Sequence, residues 1–340
     1  MKVSELGEFG LIELMSEILG PLPLAPASGY GLLTPIGDDT ALWRTTDSIQ
    51  VLTTDTMVEG VHFRLATTSW RDLGWKALAI NLSDIAAMGC TPRYAVVALG
   101  IPPETEVQSV ADIYRGMADI SEQYQCQVVG GDTVSAPCVM ITVSLTGQAL
   151  GDKPFPQNVL TRSGAREGDS IAVTGFLGAS GAGLRMLTEN PSLNDPGARH
   201  MKRAHNRPCP RVTEGQALCR SGIRAAMDLS DGLMADLPKL CKASGVAAKV
   251  YLDRIPVDPK VAEAFATQAL DLALTGGEDY ELLFAGDEDS IERATRDCPT
   301  PVTVIGNLVS GEPGKVTLID ESGREVEWTK GGWEHFTPAG

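Results

Sequence analysis

Val51-Leu-Thr-Thr-Asp-Thr-Met-Val-Glu-Gly-Val-His-Phe63 is the stretch on which the reading of this chain turns. Its approach, Ile49-Gln-Val-Leu52, is apolar and β-prone, and the segment reads as a strand. At the polar end of that strand Thr53, Thr54 and Asp55 follow one another. Two hydroxyls and a carboxylate are hard oxygen donors of the kind Mg²⁺ takes. Met57-Val-Glu-Gly60 then turns the backbone and delivers His62. Taken alone, a strand that ends in a polar turn would explain all of this. The company changes the reading, because acidic clusters of the same style recur at Gly37-Asp-Asp39, Ser83-Asp84, Gly130-Gly-Asp-Thr133, Asp228-Leu-Ser-Asp-Gly232 and Gly276-Gly-Glu-Asp279.

The 340 residues give room for two cores, and 43% hydrophobic residues is ordinary for a globular chain. Two α/β domains are expected, over residues 1–150 and 151–340, with the boundary in Gly151-Asp-Lys-Pro-Phe-Pro156. The net charge of −16 argues against nucleic acid or an anionic membrane as partner and suits a protein that recruits cations. Seven scattered cysteines with no C-x-x-C pair match cytosolic usage, and neither a signal peptide nor an apolar run of membrane-spanning length is seen, so a cytoplasmic protein is expected. With four histidines, a zinc site of His and Cys is not supported.

Along the chain, a helix is expected over residues 4–19 and a loop over 26–31. Ser69 and Asp72 form a capping box ahead of a helix from Trp70 to about Met88, with Leu73, Ala77, Ile80, Asp84 and Ala87 on one stripe. Asp84 is the odd member. A carboxylate on an apolar face needs a hydrogen bond, a counter-charge or a metal. A strand at Tyr94–Ile101 precedes a helix with Val107, Val110, Tyr114, Met117 and Ile120 turned inward, and Cys138–Leu150 reads as a long strand. Beyond the boundary, Ser170–Thr174 reads as a strand and Gly178–Leu187 as a glycine-rich helix start. Residues 190–210 read as a surface connection, and helices at about 211–221 and 232–244 bracket Asp228 and Asp231. Strands at 247–252, 280–284, 302–305 and 315–319 complete the second domain.

The P-loop, the dinucleotide-binding glycine fingerprint and the protein-kinase motif set are absent. Gly178-Ala-Ser-Gly-Ala-Gly183 suits close helix packing better than a phosphate.

Ile36-Gly-Asp-Asp39, Thr53-Thr-Asp55 with His62-Phe63, Lys76-Ala-Leu-Ala-Ile-Asn-Leu-Ser-Asp84, Gly130-Gly-Asp-Thr133, Leu160-Thr-Arg-Ser-Gly-Ala165, Asp228-Leu-Ser-Asp-Gly232 and Gly276-Gly-Glu-Asp-Tyr280 together resemble the bacterial thiamine-monophosphate kinases. The likeness runs in order from Gly7-Glu-Phe9 to Trp333-Glu-His-Phe336. It implies two α/β domains of the aminoimidazole ribonucleotide synthetase type and a homodimer formed through the first. It further implies several Mg²⁺ ions on Asp39, Thr53, Thr54, Asp55, Asp84, Asp132, Asp228 and Asp231, and ATP contacts at Tyr114, Gly131, Asp132, Arg162 and Ser230. Thiamine monophosphate would meet His62, Glu278 and Trp333, with Asp55, Asp132 and Arg162 nearest the chemistry. For His62 a surface role and for Trp333 core packing are the competing readings.

The chemistry agrees with the resemblance. ATP and a phosphomonoester repel each other, and divalent cations remove that obstacle. A phosphate acceptor is already ionised and needs no general base, which fits a site rich in carboxylates and poor in histidine. Two other readings stay open: a different ATP-dependent member of the superfamily, such as a selenophosphate synthetase, whose amino-terminal Cys is not matched here, and a nucleotide-binding protein without catalysis.

Overall fold

The computed structural model describes residues 10, 31–34, 38–45, 48–151, 155–189 and 192–328. The helix expected over 4–19 falls, but for Gly10, outside them, as do Gly37, the loop expected before Gly31, and Trp333. The first half runs β1 (Gly31–Thr34), β2 (Ala41–Arg44), β3 (Ile49–Val58), α1 (Trp70–Ala87), β4 (Thr91–Ile101), α2 (Val107–Tyr124), β5 (Gln127–Ser135) and β6 (Met140–Gln148). The second runs β7 (Ser170–Thr174), α3 (Ala179–Glu189), α4 (Pro196–Asn206), α5 (Val212–Arg220), β8 (Ala225–Asp228), α6 (Leu233–Ser244) and β9 (Ala247–Tyr251). It continues with α7 (Pro259–Phe265), α8 (Ala269–Thr275), β10 (Leu282–Gly286), α9 (Glu288–Asp297), β11 (Val302–Val309), β12 (Val316–Ile319) and β13 (Glu325–Val326). Each half carries its own mixed sheet, in the orders β1-β2-β3-β6-β4-β5 and β13-β12-β9-β11-β7-β10-β8. No described helix is long and apolar enough to cross a membrane.

Strand β3 alternates as a half-buried strand must. Val51, Thr53, Asp55 and Met57 turn to the side where α1 and α2 pack, whereas Leu52, Thr54 and Thr56 stand exposed on the other face. Across the sheet the register aligns Thr56 with Thr142, Ala98 and Asp132 in one row over four strands. The helix-free face is apolar and hydroxyl-bearing, with Leu52, Val96 and Val134 all more than 40% exposed.

Helix α1 begins as the capping box predicts: Ser69 Oγ accepts the Asp72 amide at 3.1 Å. It departs from a striped helix, since 13 of its 18 residues are buried. The reason is its neighbours, for α1 touches β3, β6 and α2 of its own half and α5 and β8 of the other. Closeness is set by glycine: a Cβ on Gly74 would lie 1.8 Å from Ile113 O of α2, and one on Gly215 of α5 would lie 1.9 Å from Ala86 O. The two halves therefore meet backbone to backbone at the end of α1.

Elsewhere the structure corrects the sequence reading. Val107 is not inward but 84% exposed, at the first turn of α2, and Tyr114, also expected inward, stands exposed on the same helix. The surface connection expected over 190–210 contains α4, capped by Asp195, whose carboxylate accepts the Gly197 and Ala198 amides at 2.8 and 3.0 Å. Its end docks on α1: Asn206 Nδ2 donates to Thr67 O at 3.0 Å, and Trp75 Nε1 donates to Pro208 O at 2.8 Å. Asp228 ends a buried strand, β8, that helical bracketing had hidden.

Adding one methyl at Gly215 forces α5 away from α1. Gly215→Ala is expected to cost about 2 kcal/mol and to lower the melting temperature by several degrees, read by differential scanning calorimetry. A variant that melts with the wild type would mean that the two helices can part without penalty.

Candidate active site

Four elements bring carboxylates to one place. Asp39 comes from the β1–β2 connection, Asp55 from the buried face of β3, Asp84 from the last turns of α1 and Asp228 from the end of β8. One oxygen from each of Asp39, Asp84 and Asp228 lies within 4.8 Å of the others. Thr53 Oγ1 donates to Asp84 Oδ2, and Ser83 Oγ donates to Asp228 Oδ2 at 2.6 Å. Asp55 and Asp84 contact each other through their side chains.

Burial and mutual repulsion dominate the electrostatics. Desolvation, with Asp39 beside it, lifts Asp228 to about 8, and desolvation lifts Asp55 to about 6. Asp84 is pushed well above the ordinary range by burial first, then by Asp55, Asp228 and Asp39. The neighbouring Asp38 is raised to about 7 by burial and by Asp39, although both of its oxygens accept the Arg162 amide, at 3.3 and 3.2 Å.

Among the described residues Arg162 is the cation that enters this cluster, pairing with Asp39 through Nη2 and through Nε at 3.2 Å. Burial works against its charge, but Asp39 more than compensates and raises its pKa. One guanidinium against five carboxylates leaves a surplus of negative charge on hard oxygen donors. Such a set fits divalent cations of the Mg²⁺ type.

A second pole lies beside the first. Leu229 O and Ser230 O accept the amides of Tyr280 and Glu278 at 2.9 and 2.7 Å, which zips the chain after Asp228 to the glycine-rich loop of Glu278. Glu278 and Tyr280 both adopt left-handed backbone, at φ 66° and 52°. Non-glycine residues held there mark positions that the surroundings over-determine. Lys76 Nζ sits 2.7 Å from Glu278 Oε1, and His205 Nδ1 sits 3.3 Å from Oε2. His62 adds its field to the same carboxylate, and its Nδ1 accepts the Val58 amide at 3.1 Å. Tyr280 is buried between the poles; burial raises its pKa, and Glu278, Asp55, Asp228 and Asp84 all add to the effect.

Within one chain other expected residues stand apart. Thr54 lies on the helix-free face, its Oγ1 bonded to Ser144 Oγ at 2.9 Å, and Asp132 is exposed on edge strand β5. Three strand spacings of about 4.8 Å separate the Asp132 row from β3, too far for one ion to touch both Asp55 and Asp132. Tyr114 and the neighbour of Gly131, Gly130, line a cleft of about 980 Å³ between α2 and β5. Asp231 is paired with Lys239 Nζ at 2.6 Å, and Ser230 is half-buried beside it.

Asp279 is not part of the acid cluster. Its carboxylate accepts the amides of Gly178 and Ser180 at 2.6 and 3.0 Å, so the glycine-rich start of α3 is capped from within the chain. Sequence reasoning missed Asp38, Lys76, His205 and Tyr280. Lys76 did carry a signal, as the single charge in the apolar run from Leu73 to Leu82.

The raised carboxylates make a signed prediction. A carboxyl whose folded pKa lies above its unfolded value destabilises the fold as pH climbs between the two. Asp84→Asn keeps an acceptor for Thr53 and gains a donor toward Asp55. In EDTA at about pH 8 it is expected to melt roughly 2 °C or more above the wild type, a gap that narrows toward pH 5. A lower melting temperature at pH 8 would show that the repulsion is compensated elsewhere.

Comparison with known proteins places these residues in context. Residues 37–151 match the family described as AIR synthase related protein, N-terminal domain, and residues 166–319 match its C-terminal domain. The thiamine-monophosphate kinase of Aquifex aeolicus (strain VF5) is 34% identical over 99% of this chain and 100% of its own length. That of Escherichia coli (strain K12) is 38% identical over 88% of this chain and 91% of its own. Among solved structures, AaThiL complexed with AMPPCP and TMP superposes with a TM-score of 0.84 at 34% identity, covering 98% of this chain and 99% of that one.

Proposed function

This chain belongs to the thiamine-monophosphate kinase family of AIR synthase related proteins, and from that premise we propose that it transfers the γ-phosphoryl group of ATP to the phosphate of thiamine monophosphate, giving thiamine diphosphate and ADP. The bond between the β,γ-bridging oxygen and the γ-phosphorus breaks, and a new bond forms from a phosphate oxygen of the acceptor. The observation that carries this reading is the buried cluster of Asp39, Asp84 and Asp228, with oxygens within 4.8 Å, next to the Glu278 pole. A structural relative solved with AMPPCP and TMP supports the same pair of reactants.

Mg²⁺ held by Asp39, Thr53, Asp55, Asp84 and Asp228 would neutralise the phosphate groups of both substrates and the charge of the transition state. Arg162 waits on Asp39 at the rim of the cluster and is the cation placed to turn to the nucleotide phosphates. No residue need remove a proton from an acceptor that is already ionised. Glu278 and His62, with Trp333, take the thiamine end; the carboxylate of Glu278 accepts from the exocyclic amine of the aminopyrimidine.

The remaining expected ligands favour a homodimer. Thr54 and Asp132 share the helix-free face, and Tyr114 and Gly131 flank the cleft at its β5 edge. Two such faces related by a twofold axis would cover the exposed Leu52, Val96 and Val134 and bring Asp132 of a second copy toward Thr54. Asp231 completes the outer ligands once Lys239 is displaced. Domains divided near residue 150 and a cytoplasmic setting belong to the same reading.

Incubation with ATP, Mg²⁺ and thiamine monophosphate is expected to yield thiamine diphosphate and ADP by chromatography, while free thiamine stays unphosphorylated. Release of AMP would sink the reading. Asp55→Asn is expected to lower kcat by about 10²-fold or more, since it removes charge from a group that stabilises the transition state.

The dimer has its own test. Light scattering should give twice 36.0 kDa. Asp55→Asn and Asp132→Asn chains, each inactive alone, should recover activity when mixed if Asp132 serves the other copy's site. No recovery in a confirmed mixed dimer would return Asp132 to its own chain.

A further inference from the structure

Lys76 is a charged side chain in the middle of α1 with only 1% of its surface exposed. A buried ammonium is costly unless a counter-charge meets it. Here the counter-charge is Glu278, 2.7 Å away at Oε1 and itself 28% exposed. The asymmetry is informative: Glu278 can be reached by a ligand, and Lys76 cannot.

Resting on the kinase reading above, we infer that Lys76 is a positioning residue for thiamine monophosphate, acting through Glu278 by fixing its carboxylate in place. Three constraints converge on that carboxylate. Lys76 holds Oε1, which leaves Oε2 as the oxygen for a substrate donor, with His205 Nδ1 at 3.3 Å. The Glu278 amide is tied to Ser230 O at 2.7 Å, and the left-handed backbone at φ 66° aims the side chain toward α1. His205 is in turn fixed, its Nδ1 lying 3.1 Å from Ser180 Oγ at the start of α3. An acceptor held at both ends loses little entropy when the aminopyrimidine arrives.

The charges facing Glu278 are Lys76 from α1, His205 from α4 and His62 from the turn after β3, with the Tyr280 hydroxyl nearby in its own loop. Burial pushes the Glu278 carboxyl up, but Lys76, then His205, outweigh it and hold it below the usual range. His205 supplies field rather than full charge, because burial, with Lys76 beside it, lowers its pKa to about 4. Without Lys76 the effect of burial on Glu278 would be opposed by the two histidines alone among these groups. Its carboxyl would then hold a proton more tightly and offer a substrate amine a poorer acceptor.

The test is steady-state kinetics of wild type, Lys76→Met, Glu278→Gln and the double variant, each varied in thiamine monophosphate at saturating ATP. At about pH 7, Lys76→Met should raise KM for thiamine monophosphate roughly tenfold, with kcat and KM for ATP within about twofold. Dividing each KM by that of Glu278→Gln at the same pH cancels titration of the substrate's own phosphate. On that scale the Lys76→Met value should fall as pH rises from about 6 to 9, and the wild-type value should be flat. The double variant should be no worse than Glu278→Gln alone.

Equal losses in kcat and in KM for ATP, or additive effects in the double variant, would make Lys76 a packing residue and overturn the inference. If Lys76→Met does not fold, the wild-type ratio decides: flat supports the inference, and a titration between about pH 6 and 9 overturns it. If the wild type makes no thiamine diphosphate at all, the kinase reading has failed instead.

Discussion

Repulsion among Asp39, Asp55, Asp84 and Asp228 is the constraint around which the rest of the molecule is arranged. Taken from water and set within 4.8 Å of one another, three of these carboxylates would push apart any loosely held scaffold. The chain answers with rigid elements: a sheet strand, a helix buried on nearly every side, and a second buried strand from the other half. Even so the cluster stays under-neutralised, with Arg162 as its cation among the described residues. A structural site would have been satisfied by the fold. This one keeps more carboxylate oxygens than the fold supplies with partners, and a cation would satisfy them.

The contrast with other buried acids sharpens the point. Glu281 is met by Arg211 and by Thr174 Oγ1 at 2.7 Å, Asp236 by Lys239 and by the Asp231 amide, and Asp279 by two amides of the α3 cap. Each of these has its partners within the chain, and each serves the fold. Glu278 stands between the two kinds, since it is paired with Lys76 yet remains partly exposed. Degree of internal satisfaction thus separates acids that look alike in sequence into struts and, on the proposed function, cation ligands and recognition groups.

That sorting explains what could be read from the sequence. Glycine-flanked acids in several clusters pointed to a cation-binding site, and the odd carboxylate on the α1 stripe, Asp84, lies together with Asp39 and Asp228. β3 was legible as a strand, although it runs on through Thr53–Asp55 to Val58 instead of ending in a polar turn. What alternation could not say is which face is which, so Thr54 and Asp55 were grouped although they point to opposite sides of the sheet. Asp231 and Asp279 share the local signature of the cluster acids but find partners in the fold, Lys239 only eight residues further along and the α3 amides far away in sequence. The helix α4 was announced by Asp195-Pro196, an N-cap followed by proline, within a segment whose polar composition suggested only a loop. His205 could not be foreseen as buried without it.

Helix α1 carries both poles, and its geometry limits what can bind. Lys76 and Asp84 are eight residues apart, which at 1.5 Å per residue is about 12 Å along a helix axis. On the proposed function the first pins the carboxylate that would face the ring system, and the second belongs to the cluster that would face phosphate. Because α1 is gripped by both sheets and by α2 and α5, this spacing cannot relax to suit a shorter or longer ligand. Close approach at Gly74 and Gly215 makes the grip tighter still, since neither helix contact leaves room for a methyl group. A molecule that bonds to Glu278 at one end must therefore present its phosphate at a fixed remove. Selection by length follows from one rigid helix, with no need for a separate device that measures the substrate.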